Sequence, residues 1–409
     1  MSFTARRLTA FLTAIILLVV SGSGTLAQKK YDTGASDTEI KIGNIAPYSG
    51  PASAWSASAR SSAAYFKRIN ADGGINGRKI NFISYDDAYS PPKTVEQARR
   101  LVEGDEVLLI FASLGTGNNT AIQRYMNAKK VPQLFVASGA TKWNDPQNFP
   151  WTMGWQPNYQ SEARIYAKYI LKEKPNARIA ILYQNDDYGK DYLKGLKEGL
   201  GDKAASMIVA EDAYEVAEPT IDSHIVKMKS LNADVFVNIT APKFAAQAIR
   251  KAAEIGWKPL HFLNNVSTSV GAVIKPAGLD NAQGIISVAY LMDALDPQWR
   301  DDPGMKAFDE FLAKDFPGGD RADGLVLNGF NSAQTLVAVL RQCGDNLTRE
   351  NVMKQAANLK DFRTTNLLPG ITMNTSPIDF APIKQVQLRR FAGERWELFG
   401  PTLSSEIGG

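Results

Sequence analysis

The chain has 409 residues, of which 46 are lysine or arginine and 42 are aspartate or glutamate, so its formal net charge is only +4. A nearly balanced charge without a long basic run argues against nucleic acid as a partner. Cys343 is the single cysteine, which excludes an internal disulfide and a cysteine-based metal site.

The first residues have the pattern of a secretory signal peptide. Arg6 and Arg7 precede an apolar run from Leu8 to Val20, and small residues end the segment at Ala27. The run is shorter than the roughly 20 apolar residues that a transmembrane helix needs. We therefore predict that residues 1–27 are a signal peptide and that the mature protein is exported.

After a polar linker, strand-like runs alternate with amphipathic segments. Strands are predicted at residues 40–46, 79–85, 107–112, 133–137, 178–183, 206–210, 235–239 and 259–263. Helices are predicted at 55–70, 92–103, 119–129, 160–173, 188–200, 220–231 and 243–255, and a terminal hairpin at 385–391 and 396–399. Strands that are each followed by a helix predict parallel βαβ units. About 380 residues remain after cleavage, and a single hydrophobic core does not usually hold so many. We therefore expect an α/β fold with two Rossmann-like lobes.

The sequence lacks a recognisable catalytic or metal centre. Its two histidines, His224 and His261, lie outside any zinc motif, and we expect both at the surface or in loops. There is no GxSxG elbow, and the glycine pattern that begins at Gly115 lacks its third glycine. The Asp86-Asp87 pair is best explained as a structural turn. We therefore predict a binding protein without metal or cofactor, and not an enzyme.

Three turns at the ends of predicted strands in the first half offer hydrogen-bond donors. They lie at residues 47–55, 113–120 and 137–143, and they contain Trp55, Thr116, Gly117, Ser138, Gly139 and Thr141. Ligands of open α/β sheets bind at the carboxyl ends of strands, and uncharged N–H and hydroxyl donors suit a carboxylate. Helix capping explains any one of these turns, but the three together favour a ligand site.

The segment from residue 142 to residue 160 is rich in aromatic side chains, among them Trp155 and Tyr159. Core packing is the better explanation for any single ring. Several flat apolar faces beside carboxylate-binding turns nevertheless suit a flat organic acid. We include Trp155 and Tyr159 among the predicted ligand contacts.

The segment IKIGNIAPYSGPASAWSASAR, residues 40–60, resembles the start of the periplasmic leucine/isoleucine/valine-binding family, the substrate-binding subunits of ABC importers. The resemblance can be followed to about residue 400, and it implies a periplasmic location and the type I periplasmic-binding-protein fold, in which two lobes are joined by three crossings. It implies an N-terminal lobe of residues 38–155 plus 287–368 and a C-terminal lobe of residues 156–286 plus 369–401. Sequence pattern alone would divide the chain once, near residue 155.

The resemblance also implies roles for site residues. It places Trp55 at the family's cleft-wall tryptophan, Thr116 and Gly117 at the loop that holds the ligand carboxylate, and Gly139 and Thr141 at a second such loop. A serine is typical of the family at the position of Gly117. Tyr89 and Thr116 stand where type members carry a disulfide-bonded cysteine pair.

The second-lobe loop departs from the amino-acid binders of this family, which present an acidic side chain there to the ligand's α-ammonium. Residues 264–269 read NNVSTS, and no Asp or Glu occurs from Lys258 to Leu279. A buried ammonium without a carboxylate partner is costly. We therefore expect a ligand without an α-amino group, with Asn264 and Asn265 hydrogen-bonded to its hydroxyl, carbonyl or amide. The aromatic segment resembles a subgroup that takes up hydroxycinnamates and benzoates.

These features predict a periplasmic solute-binding subunit, a monomer, that closes on a small aromatic carboxylate and docks on a membrane ABC permease. Two alternatives stay open. One is a branched-chain or other amino-acid-binding protein of the same fold, in which Asp186, Asp187 or Glu215 would pair with the ammonium. The other is a sensory ligand-binding subunit.

Overall fold

The computed structural model describes residues 29–404, so the predicted signal peptide lies outside the described residues. The strands are β1 (Lys30–Tyr31), β2 (Glu39–Ala46), β3 (Lys79–Asp86), β4 (Leu109–Phe111), β5 (Gln133–Val136), β6 (Thr152–Gly154), β7 (Ile179–Gln184), β8 (Ile208–Tyr214), β9 (Val235–Ile239), β10 (Leu260–Leu263), β11 (Ile286–Ala289), β12 (Asn346–Leu347), β13 (Gln385–Ala392) and β14 (Arg395–Ser404). The α-helices are α1 (Ser56–Ala71), α2 (Pro91–Arg99), α3 (Thr116–Lys129), α4 (Tyr159–Glu173), α5 (Asp187–Leu200), α6 (Ala204–Met207), α7 (Asp222–Ser230), α8 (Pro242–Glu254), α9 (Lys275–Ala277), α10 (Pro303–Lys314), α11 (Gly324–Cys343) and α12 (Arg349–Ala356). Short 3-10 or π turns at Ser53–Trp55, Arg100–Gly104, Thr141–Trp143, Gly201–Lys203, Asn265–Ser267, Val270–Ile274, Leu279–Ala282 and Pro297–Trp299 extend or connect them.

The strands form two large sheets. The first is five-stranded, in the order β3-β2-β4-β5-β6, and all its pairs are parallel. The second is seven-stranded, in the order β14-β13-β11-β10-β9-β7-β8. It is parallel from β8 to β11, and β13 and β14 form an antiparallel edge. Strands such as β4 and β9 are buried along their whole length, as expected for parallel strands covered by helices on both faces.

The chain crosses between the lobes where it leaves one sheet for the other. It crosses first between β6, in the first sheet, and β7, in the second. It returns after β11, because α11 packs on α1 of the first lobe through the Ser61 hydroxyl, which donates to the Val326 carbonyl at 2.7 Å. The third crossing precedes β13. The predicted boundary between residues 286 and 287 falls inside β11, which pairs with the second sheet on both edges, so the second crossing follows Ala289.

Most predicted elements are confirmed to within a few residues. Residues 206 and 207 end α6 instead of beginning a strand. The aromatic segment of residues 142–160, near the predicted division at residue 155, contains the short edge strand β6. His261 is a buried residue of β10 and not a surface residue, so that expectation is wrong. No helix among residues 29–404 is long and apolar enough to cross a membrane.

The two lobes touch across the cleft, and these contacts define a closed arrangement. The Trp55 indole N–H donates to the Val266 carbonyl at 2.9 Å. The Thr120 hydroxyl of the first lobe donates to Asp187 of the second at 3.1 Å. The cleft between the sheets is therefore bridged by hydrogen bonds at several points.

Candidate ligand-binding site

A pocket with about 420 Å³ of empty space, including its opening to solvent, lies between the lobes at the carboxyl ends of strands of the first sheet. That is where open α/β sheets bind ligands. Its lining comes from both lobes, from the first crossing and from the start of α11: Trp55, Ser58, Tyr89, Leu114, Gly115, Thr116, Ala137, Gln156, Tyr159, Tyr188, Val266, Leu325 and Asn328. No aspartate or glutamate among the described residues is part of this lining.

Four aromatic rings line the pocket. The Trp55 ring lies 5.4 Å from the Tyr89 ring and 6.4 Å from the Tyr188 ring, centroid to centroid. The Tyr159 and Tyr188 rings pack edge to face at 5.5 Å. Because Trp55 and Tyr89 belong to the first lobe and Tyr159 and Tyr188 to the second, closure brings the rings together. The rings contact one another and form a continuous aromatic wall, which suits the face of a flat apolar body.

The turn after β4 brings the start of a helix to the pocket. Gly115 has φ of 100°, which favours glycine, and a Cβ there would lie 2.7 Å from the Tyr89 ring. The next residue, Thr116, begins α3, a helix of 14 residues without a side-chain cap. Free N–H groups at a helix N-terminus favour an anion.

The Thr116 hydroxyl is prepared to donate to a ligand. It lies 2.8 Å from the Ser138 hydroxyl. The Ser138 oxygen already accepts from the Trp143 indole N–H at 2.9 Å and from the Ala140 N–H at 3.2 Å. Since a hydroxyl has two lone pairs and one proton, Ser138 donates its proton to Thr116. The proton of Thr116 is then available for an acceptor in the pocket.

Two polar groups of the pocket lining are buried without a hydrogen-bond partner among the described residues: the Tyr188 hydroxyl and the Gln156 Oε1. Leaving such a group unpaired costs about 1–3 kcal/mol, and native proteins keep few of them. A ligand with complementary groups would satisfy both. The sequence analysis missed these residues, although Tyr188 lies in the first turn after β7 and Gln156 lies in the aromatic segment.

Among the predicted ligand contacts, Trp55, Thr116 and Tyr159 line this pocket. Ser138, Gly139 and Thr141 line a separate, smaller pocket of about 250 Å³. Gly117, one residue into α3, belongs to the lining of neither.

The predicted second carboxylate loop is engaged in protein contacts. The Thr141 N–H and hydroxyl both donate to Asp191 Oδ2, at 2.9 and 3.0 Å. Gly139 is explained by close approach, since a Cβ there would lie 2.3 Å from the Pro157 carbonyl oxygen. Thr141 therefore links the first lobe to α5 of the second instead of offering donors to the pocket lined by Trp55.

Three further predicted contacts lie outside this pocket. Trp155 is a core residue, 2% exposed, whose indole N–H donates to the Thr335 hydroxyl at 3.0 Å. The Asn264 amide is used within the protein, donating to two main-chain carbonyls at 3.1 Å each. The Asn265 N–H donates to Glu162 Oε1 at 2.9 Å, and Asn265 lines a neighbouring cavity. Trp155 and Asn264 are therefore explained by packing and loop structure.

The acidic residues near the cleft are committed to protein partners. Glu162 accepts from the Tyr166 and Tyr192 hydroxyls at 2.5 and 2.8 Å, and burial raises its pKa. Asp186 caps α5 through the N–H groups at its start, and burial raises its pKa to about 6. Asp187 pairs with Lys142 at 3.1 Å.

Glu215, the third acid considered for an ammonium, accepts from the Asn185 amide at 2.6 Å. Like Asp186 and Asp187, it is not part of the pocket lining.

Two α/β lobes with a ligand-sized pocket between them are the architecture of a two-lobed solute-binding protein. The chain belongs to the periplasmic binding protein family, whose model matches residues 39–392. A curated relative, Leu/Ile/Val-binding protein homolog 7 of Brucella abortus (strain 2308), is 24% identical over 326 residues, which cover 75% of this chain and 78% of that protein.

Solved structures agree on the fold. A branched-chain amino acid ABC transporter structure from Thermus thermophilus with bound valine has a TM-score of 0.81 at 18% identity, covering 90% of this chain and 97% of that one. A fatty acid ABC transporter substrate-binding protein from Thermomonospora curvata has a TM-score of 0.76 at 18% identity, covering 92% of this chain and 95% of that one. The predicted type I periplasmic-binding fold is confirmed. The three proteins named here are named for binding or transport.

Proposed function

We propose that the protein is the periplasmic solute-binding subunit of an ABC importer and that it captures a small aromatic carboxylate, such as a hydroxycinnamate or a benzoate, by closing its lobes. The observation that carries this proposal is the pocket of four aromatic rings in which no described carboxylate takes part. The closed monomer would then dock on its membrane permease.

The start of α3 is the position for the ligand carboxylate. The uncapped N–H groups there and the Thr116 hydroxyl offer donors without a formal positive charge. Such donors hold an anion strongly enough for capture and leave no buried cation when the anion departs. This site is the first of the two carboxylate loops implied by the resemblance, because the donors of Thr141 are engaged with Asp191.

The aromatic rings are the position for the body of the ligand. Trp55 and Tyr89 contribute from one lobe, and Tyr159 and Tyr188 from the other, so a flat ligand contacts both lobes only when they are closed. Its binding energy therefore shifts the equilibrium toward closure. The unpaired Tyr188 hydroxyl and Gln156 amide oxygen suit polar ring substituents, such as the hydroxyl of a hydroxycinnamate.

An amino-acid ligand is the second candidate, and the comparisons favour it: one relative is named a Leu/Ile/Val-binding protein homolog, and one structural neighbour holds valine. Against it stands the lack of a described carboxylate in the pocket lining, since an α-ammonium enclosed there would have no counter-charge. The neighbour named for fatty acids is a precedent within this fold for a carboxylate ligand that lacks an amino group.

A thermal-shift screen followed by calorimetry tests the proposal. Benzoate and 4-hydroxycinnamate should raise the melting temperature in a saturable way and bind with measurable heat. Leucine, isoleucine and valine should leave the melting temperature unchanged, because each brings an ammonium without a partner. Saturable stabilisation by the amino acids alone would overturn the aromatic-acid proposal and favour the second candidate.

A further inference from the structure

A second cavity, with about 720 Å³ of empty space including its opening to solvent, adjoins the aromatic pocket. The two share four lining residues: Gln156, Val266, Leu325 and Asn328. The second cavity extends from them toward the end of β11 and the middle of β13. A ligand longer than one ring would extend from the pocket past these four residues into the cavity.

Arg389 of β13 lines this second cavity. The hydrogen bond of its guanidinium runs from Nη2 to the Thr268 hydroxyl, and its Nε is buried without a partner among the described residues. The guanidinium lies 4.7 Å from the centre of the Trp396 ring. Arg389 is thus a partly buried cation whose guanidinium contacts a hydroxyl and a ring.

The neighbouring carboxylates act on Arg389 only through space, Asp293 most strongly. Asp293 also lines the cavity, but its two carboxylate oxygens accept from the Leu295 and Trp396 N–H groups at 3.0 and 2.8 Å. The other lining cation, Arg321, forms a two-point pair with Asp309, at 2.6 and 3.2 Å. None of the ion pairs within residues 29–404 includes Arg389.

An arginine stays protonated at neutral pH, even though burial lowers the pKa of Arg389. Removing such a charge from water is costly unless it is paired. Its fork of N–H donors matches a carboxylate, which it can hold through two parallel hydrogen bonds. The vacant N–H donor at Nε therefore points to an anionic group as the missing partner.

We propose that Arg389 binds a second acidic group of the ligand, so that the preferred ligand is an elongated acid with a carboxylate at each end. This inference rests on the proposed function for the ligand's first carboxylate, at the start of α3, and for its aromatic body. The second carboxylate is the ligand group that enters the larger cavity.

Pairs of probes that differ by one carboxylate test the inference: benzoate against terephthalate, cinnamate against 4-carboxycinnamate, and hexanoate against adipate. For at least one skeleton, the full-length mature protein should bind the dicarboxylate at least tenfold more tightly in calorimetry. Which carbon skeletons bind, aromatic or aliphatic, tests the proposed function. The ratio of the dissociation constants of the monocarboxylate and the dicarboxylate within a pair tests the role of Arg389. If only the hexanoate–adipate pair binds and keeps its ratio, the aromatic proposal fails while the Arg389 inference stands.

Arg389→Met should remove the preference for the second carboxylate while leaving the affinity for the monocarboxylate within about twofold. Arg389→Lys keeps a charge and should retain part of the preference. The matched control is Arg390→Met, because Arg390 is exposed on the same strand and contacts Tyr169 and the Phe399 ring; it should change neither affinity.

If the two members of every pair of probes bind the unaltered protein with nearly equal dissociation constants, the inference is overturned. This result decides the question even if Arg389→Met does not fold. A ratio that persists in Arg389→Met would overturn it as well. In that case the role of Arg389 is to pack on Trp396, and its loss would change only the melting temperature.

Discussion

Replacing Trp55 by phenylalanine removes a hydrogen bond that holds the lobes together and leaves a smaller aromatic ring in the pocket. The substitution keeps an aromatic ring beside Tyr89 and Tyr188 but removes the indole N–H that donates to the Val266 carbonyl at 2.9 Å. The donor belongs to the first lobe and the acceptor to a loop of the second, so the bond forms only when the lobes are closed. Its loss should weaken the closed state and leave each lobe's own packing in place.

The size of the effect follows from the bond that is lost. An intramolecular hydrogen bond contributes about 0.5–1.5 kcal/mol net. Because the ligand binds the closed state, that loss appears in the dissociation constant, where 1.4 kcal/mol corresponds to about tenfold. We expect Trp55→Phe to raise Kd by about 2- to 12-fold and to leave the unfolding free energy of the ligand-free, open protein nearly unchanged.

Trp257 provides the matched control. Its indole N–H donates to the Ala233 carbonyl at 2.8 Å, within the second lobe, and it is 8% exposed, against 5% for Trp55. Trp257→Phe therefore loses the same kind of bond without affecting closure. It should lower the unfolding free energy by about 0.5–1.5 kcal/mol and leave Kd unchanged.

Calorimetry with the tightest-binding acid from the thermal-shift screen measures Kd, and urea denaturation of the ligand-free protein measures stability. The reasoning is refuted if Trp55→Phe lowers the unfolding free energy as much as Trp257→Phe does while its Kd stays at the unaltered value. Trp55 would then be a core residue of the first lobe.

Further predictions concern single positions. Gly139→Ala should destabilise the fold by about 1–3 kcal/mol, because the new Cβ would lie 2.3 Å from the Pro157 oxygen. Gly117→Ala, whose Cβ would meet nothing within 4 Å, should instead stabilise it by about 0.5–1 kcal/mol in urea denaturation. Tyr188→Phe removes a hydroxyl that has no protein partner in the closed pocket, so it should weaken 4-hydroxycinnamate binding in calorimetry and leave the melting temperature of the ligand-free, open protein nearly unchanged; unchanged affinity would contradict this. Burial lowers the pKa of His261 to about 3, so the unfolded chain takes up a proton that the folded protein refuses as the pH falls below about 6.5. The unfolding free energy should therefore fall from pH 6.5 toward pH 3, by up to about 5 kcal/mol, at about 1.4 kcal/mol per pH unit, and His261→Gln should flatten this slope in urea titrations.

The amino-acid sequence by itself determined the local elements of this protein. The apolar run that became β2 and the turn that follows it were readable because periodicity and turn chemistry act over a few residues. The strand-end turn at Gly115 and Thr116 was readable for the same reason, since ligands of open α/β sheets bind at the ends of strands. The lack of Asp and Glu in the loop of residues 264–269 is likewise read directly from the sequence and does not depend on how the chain folds.

Tertiary structure decided which side chains face the ligand pocket. Thr141 gives its donors to Asp191, and Trp155 gives its indole N–H to Thr335. Both partners lie far along the chain, and no local pattern identifies them.

The second cavity, beside the aromatic pocket, is also a product of tertiary structure and not of local sequence. Gln156 and Arg389 line one cavity although more than half of the chain separates them. Packing of distant segments brings their polar groups together and leaves them unpaired, because hydrogen-bond satisfaction depends on every element that surrounds a buried group.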